Sequence, residues 1–217
     1  MKKSMMAAAA ALMVGMWATP SMAQCHLGLQ AGASMANTSL GVTGSPFSID
    51  GLGGQSSRPD LGIHVGCDLK VANSPFVIGA FGEWNSQEVS FEIQPSILKA
   101  SVGNSWTVGG RLGYQMANGA MPYILGGRTQ AEANFSSGLG PIPGGILPSH
   151  FQGWMYGAGI EMPIKGTQLS FALEARMIKY QSENILGAVD LQTDHGQVMG
   201  RLNWNFGAPP TSVLPLK

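Results

Sequence analysis

The reactive chemistry in this 217-residue chain is sparse: two cysteines, four histidines, twelve basic and twelve acidic side chains. Cys25 and Cys67 are a disulfide pair if the compartment is oxidising. His26 and His64 sit close to the same two positions, a spacing that invites a metal or haem reading. No cysteine or carboxylate ligands accompany them at matching intervals, so two rings filling an interior is the better expectation, with no metal and no cofactor. Ser149-His150 and Asp194-His195 are fragments of a hydrolase triad. A nucleophile motif such as Gly-x-Ser-x-Gly is missing, and the chain reads as non-enzymatic. Glu83, Arg111, Arg128, Glu132, Glu161, Glu174, Arg176 and Arg201 stand singly within otherwise apolar or glycine-rich stretches. Isolated charges in such surroundings must find one another.

The elements that position them alternate with a period of two. Residues 101–128 hold two such runs joined at Ala117-Asn118-Gly119-Ala120, and Asn-Gly is a strong hairpin signal. In the first run Trp106, Val108, Leu112 and Tyr114 oppose Thr107, Gly109, Arg111, Gly113 and Gln115. In the second, Tyr123, Leu125 and Ala131 oppose Pro122, Ile124, Gly126, Arg128 and Gln130. The same pattern recurs at Cys25–Ser34, Asp60–Leu69, Phe76 to about Gln87, Gln152–Met162, Leu169–Tyr180 and His195–Phe206. Eight strands of about ten residues suit a bilayer crossed at ~45° tilt. Long and short connections alternate strictly, the asymmetry of transmembrane barrels with short periplasmic turns and longer outer loops. The expected fold is an all-β, eight-stranded antiparallel up-and-down transmembrane β-barrel.

Composition agrees. Lys2-Lys3, the apolar Met5–Trp17 and the small-x-small site Ser21-Met22-Ala23 read as a signal peptide over residues 1–23. Without Lys2 and Lys3, ten basic residues face twelve acidic ones, and no basic patch suggests nucleic acid. Charged residues make up 11% of the chain, against roughly 25% in soluble domains. Past residue 23 no apolar run approaches the ~20 residues of a spanning helix. The barrel is expected over 24–206, and 207–217, with three prolines, reads as a disordered periplasmic tail.

Alternation alone does not say which face meets lipid. The glycine-rich parity suits a narrow lumen. The apolar parity carries Tyr114, Tyr123, Trp204 and Phe206 at short-turn strand ends, where an aromatic girdle belongs. Counted from those ends, Arg111, Glu174 and Arg201 share one level, with Glu83, Arg128 and Arg176 a step higher. Buried charge is costly unless paired, so these six, with Glu132 and Glu161, are expected to form a lumenal plug of arginine–carboxylate contacts. Setting Cys25 opposite Cys67 also sets Leu27 opposite Val65 and Leu29 opposite Ile63, a sound register that favours the disulfide.

With the strands placed, a likeness emerges. Gly110-Arg111-Leu112-Gly113-Tyr114, Pro122-Tyr123 with Gly126-Gly127, and Gly153-Trp154 through Glu161 resemble alphaproteobacterial outer-membrane β-barrels, the "porin family" of OmpA-like proteins. Leu173-Glu174-Ala175-Arg176 and Arg201 through Phe206 resemble that family's last two strands. The resemblance covers residues 100–206 best. It implies residence in the outer membrane, among its lipid and lipopolysaccharide, and insertion by the barrel-assembly machinery, which reads a terminal aromatic strand. The chain departs from the pattern by continuing past Phe206. The resemblance further implies an abundant structural surface protein, with a small pore or a haem- or host-binding surface protein as alternatives. Apolar loop positions Ile97-Leu98, Ile142, Ile146-Leu147 and Ile185-Leu186 favour surface contact, since exposed apolar patches mark interaction sites.

Overall fold

The computed structural model describes residues 23–42, 48–50, 59–86, 89–93, 98–137, 150–181, 183–185 and 189–207. Apart from Ala23 and Gly207, the segments read as signal peptide and tail lie outside these. Eight long strands form the wall: β1 (Ala23–Val42), β3 (Pro59–Lys70), β4 (Phe76–Ser86), β6 (Leu98–Tyr114), β7 (Met121–Ser137), β8 (His150–Pro163), β9 (Leu169–Tyr180) and β11 (Val189–Gly207). Three short strands, β2 (Ser48–Asp50), β5 (Val89–Ile93) and β10 (Glu183–Ile185), pair beside β1, β6 and β11. Each wall strand is antiparallel to the next, and β1 pairs with β11 to close the sheet. Closure leaves the wall without an edge, the one way a sheet satisfies its backbone in hydrocarbon.

The sequence pattern explains the faces. Leu29 is 69% exposed and Ile124 61%, while Arg201, Glu174 and His26 on the opposite face are buried. Apolar residues thus look outward and polar ones inward, as a membrane barrel requires. Near the short turns Phe76 meets Tyr114 edge-on and Trp204 meets Phe206. Trp84 and Trp154 are exposed further up the wall, with Trp106 half-buried on the same face. From Phe76 to Trp84 the climb is about 20 Å, at ~3.3 Å per residue and ~40° tilt. Two aromatic levels therefore bracket an apolar band close to the ~25 Å typical of outer-membrane barrels.

Several stretches expected as loops are strand. β1 continues through Val42, β6 begins at Leu98, β7 runs to Ser137 and β11 starts at Val189. The β1–β11 ladder persists to Val42 opposite Val189, and the β6–β7 ladder to Leu98 opposite Ser137. Ladder pairing with a neighbour, not hydrophobic alternation, sustains these segments. They occupy opposite sides of the barrel, so two ribbons rise past the shorter walls β3–β4 and β8–β9 on the long-loop side. Of the apolar loop positions, Leu98 opens β6 and Ile185 ends β10. Ile97, Ile142, Ile146, Leu147 and Leu186 lie outside the described residues.

Cys25 and Cys67 are register partners on β1 and β3 and are bonded to each other. The bridge closes a sequence separation of 42 residues, for which chain entropy gives about 4 kcal/mol, an upper figure because the hairpin already holds the ends together. Unfolded without reductant, the protein should show no titratable thiol. Two reactive thiols in that titration would contradict the bridge.

Candidate functional site

Among the described residues, buried polar chemistry is concentrated in the lumen. Inward residues of all eight wall strands meet there because successive positions on a strand alternate faces. Side chains can span an eight-stranded interior, which is only wide enough to be filled.

Nearest the short turns, Arg111 makes a bidentate contact with Asp68, its Nε 2.8 Å from Oδ1. Its Nη1 donates to Glu161 Oε2 at 2.9 Å. Glu161 Oε1 accepts from Ser170 Oγ at 2.5 Å and from Asn203 Nδ2 at 3.2 Å. The Arg111 guanidinium also lies 5.1 Å from the Tyr123 ring centre. Gly79 makes this possible, since a Cβ there would overlap the Asp68 carboxylate and crowd Arg111.

Half-way up, Glu174 gathers three donors. Arg176 Nε lies 2.6 Å and Arg201 Nη2 3.0 Å from its Oε2, and Tyr123 OH donates to Oε1 at 2.5 Å. Arg176 Nη1 turns the other way to Glu83 Oε1 at 2.8 Å. Arg201 Nε donates to Gln30 Oε1 at 3.1 Å, and Gln30 Nε2 in turn reaches Asn85 Oδ1 at 2.5 Å. His26 and His64 stack with ring centres 5.0 Å apart, their Nε2 atoms at 3.0 Å, one nitrogen donating to the other. Arg201 Nη1 stands 3.2 Å from the same His64 nitrogen. A fixed cation beside the pair opposes a metal ion there. Among the described residues no group of three or more His, Cys, Asp or Glu has the geometry to hold one.

Around these tiers an apolar cluster of Phe81, Tyr123, Leu125, Ala131, Phe151, Met155, Ile178 and Tyr180 fills one side of the lumen. Towards the long loops, Ser34 donates to Asp60, and Gln197 Nε2 lies 3.4 Å from the same Asp60 oxygen. The buried charges are three arginines against Asp68, Glu83, Glu161 and Glu174 in the two lower tiers. Each guanidinium touches two acidic or amide groups, which offsets the desolvation that buried ions suffer.

The structure gathers six of the eight charged residues singled out from sequence: Glu83, Arg111, Glu161, Glu174, Arg176 and Arg201 are all buried inside. Arg111 is a level lower than turn counting suggested, paired with Asp68 and Glu161 rather than near Glu174. Arg128 and Glu132 correct the expectation. Arg128 lies on the outer face over the Trp154 ring, 4.6 Å from its centre, and Glu132 is exposed. Tyr123 is the complementary correction: it leaves the girdle for the lumen, 4% exposed, while Tyr114, Trp204 and Phe206 remain outside. The cause is register. Tyr123 pairs with inward Gly113 and inward Gly159, so β7 turns opposite to its hydrophobicity pattern. Asp68, Gln30, Asn85 and Asn203 were missed as partners, although each shares the inward parity of its strand.

The family comparison answers the question of location. The model of the outer membrane protein β-barrel domain matches residues 7–206. The chain belongs to that family. It is therefore an outer-membrane protein, and barrels of that membrane turn their short connections to the periplasm. Solved structures of similar form include Ail of Yersinia pestis, at 13% identity, covering 86% of this chain and 100% of that one, with a TM-score of 0.46. OprG of Pseudomonas aeruginosa is 10% identical over 87% and 98% of the two chains, with a TM-score of 0.47. Neisserial surface protein A is 10% identical over 84% and 97%, with a TM-score of 0.45. No curated protein matches.

Three outcomes follow from the lumen. Glu174→Gln, which leaves Arg176 and Arg201 short of a counter-charge, should lower stability by about 3–5 kcal/mol, read by urea unfolding in lipid vesicles. Tyr123→Phe should cost about 1–2 kcal/mol. His26→Ala and the wild type should bind zinc and nickel equally weakly in calorimetry; tighter binding by wild type would restore the metal reading.

Proposed function

We propose that this protein is a non-enzymatic outer-membrane barrel with a plugged lumen, which contributes to envelope structure and presents its long-loop face for contact outside the cell. The observation that carries the reading is the Glu83–Arg176–Glu174–Arg201 chain of contacts across the lumen. A solute crossing the barrel must part these pairs, and leaving one buried partner uncompensated costs about 3–5 kcal/mol. The apolar cluster stands beside these charges and narrows the same interior.

The ribbons formed by β1 with β11 and by β6 with β7 support the contact role, because they carry backbone well beyond the apolar band. The non-enzymatic reading draws on His195, the histidine of the Asp194-His195 pair. It is buried inside, edge-on to the Tyr180 ring at 5.5 Å. The finer kinship with alphaproteobacterial porin-family barrels rests on the Gly110–Tyr114 and Leu173–Arg176 motifs and remains part of this proposal, as do a haem or host partner and insertion by the barrel-assembly machinery.

Purified protein in planar bilayers should give no steady channels, and a variant lacking residues 138–149 should bind cells or matrix less than wild type. Steady open channels in the wild type would replace this reading with the small pore. Unchanged binding by the deletion would remove that loop from the contact surface.

A further inference from the structure

Arg128 is a cation on the lipid-facing wall, where such a charge is costly at mid-membrane and cheap at the interface. Its guanidinium lies over Trp154, and its Nη2 reaches Gln152 Oε1 on the adjacent strand at 3.5 Å. Gln152 stands two residues nearer the long-loop end of β8, so the side chain bends towards the outer interface. Trp154 has a second cationic neighbour. Register sets Arg128 opposite Trp154 on one side and Lys179 opposite it on the other. Lys179 is exposed, and Trp154 is 56% exposed between them. The two cations rise from strands about 10 Å apart, two interstrand spacings. Both side chains are long enough to meet over the ring.

Height places this trio at the membrane boundary. Counted from the short-turn ends at Met121, Pro163 and Leu169, Arg128, Trp154 and Lys179 rise about 18, 23 and 25 Å, at ~3.3 Å per residue and ~40° tilt. The ~25 Å apolar band ends there. Beneath Arg128 the outer wall is hollow. Ala80, Gly110 and Gly126 are successive register partners, all exposed. A Cβ on Gly126 would meet only the Met155 carbonyl, at 3.6 Å. Glu132 lies two outward positions further up β7, and Asp194 pairs with Lys179 on the side away from Trp154. Neither strand position falls between the two cations.

We propose that Arg128, Trp154 and Lys179 form a binding site for a phosphate of a phosphorylated glycolipid of the outer leaflet, of the lipid A type, with an acyl chain lying in the hollow over Ala80, Gly110 and Gly126. Arginine supplies a fork and lysine a point charge, the usual pairing for phosphate. The indole keeps the guanidinium in place through its ring face. This site rests on the outer-membrane location and on neither the plugged lumen nor the contact role, so it stands or falls separately.

The test uses the full mature protein refolded in neutral detergent, titrated with lipid A carrying both phosphates, with the same lipid dephosphorylated, and with inorganic phosphate. Phosphorylated lipid should raise the unfolding temperature and shift tryptophan emission, with at least tenfold weaker apparent affinity for the other two. Arg128→Gln with Lys179→Gln should abolish the difference between the two lipids. Gly126→Leu should weaken both lipids together, and Lys165→Gln, in a periplasmic turn, should change nothing. Equal affinity for the two lipids in the wild type would overturn the proposal without recourse to any variant. A double variant that folds, judged by heat-modifiable mobility, and still discriminates would overturn it too, as would a full response to inorganic phosphate alone.

Discussion

Everything in this molecule depends on the ladder that joins its first wall strand to its last. An open sheet in hydrocarbon leaves a row of N–H and C=O groups with no partner, each costing several kcal/mol. The β1–β11 register, from Gln24 opposite Gly207 to Val42 opposite Val189, removes that row. Once the wall is closed, the inside and outside of the barrel are different solvents. The alternation of side chains then has an unavoidable meaning: whatever one face cannot tolerate must sit on the other.

The lumen shows what that separation demands. The three lumenal arginines are buried, and a buried charge is tolerated only where a neighbour answers it. Arg111 is answered by Asp68 and Glu161, and Arg176 and Arg201 by Glu174 and Glu83. Glycines on the inward parity give these large groups room, and the apolar cluster on the other side takes up the remaining volume.

The sequence made much of this legible and one strand illegible. On six of the eight strands the apolar and polar parities differ so strongly that inside and outside are plain; β4 carries inward Val77 and Phe81, yet Glu83 and Asn85 still mark its face. On β7 both parities carry apolar residues, Tyr123 and Leu125 against Pro122 and Ile124, and only the turn decides between them. A two-residue Asn118-Gly119 turn would set Tyr114 opposite Tyr123, both outward. Instead Met116 pairs with Ala120, and Gly119, at φ 88°, closes a three-residue loop. One residue of register turns the strand over. Tyr123 goes inward and Arg128 and Glu132 go out. The levels were grouped too coarsely: Arg111 stands three residues from the short-turn end of β6 and Glu174 five from that of β9, and that step separates the two tiers.

The ribbon that rises from β1 and β11 is an extension of the seam itself. Anything that grips it from outside pulls along the direction of the strands. Tension therefore falls on many hydrogen bonds in parallel, a shearing geometry, and not on one pair at a time as in peeling. A pull shared by the ribbon's two strands thus passes into the wall through the β1–β3 and β9–β11 ladders, which lie along the direction of the force.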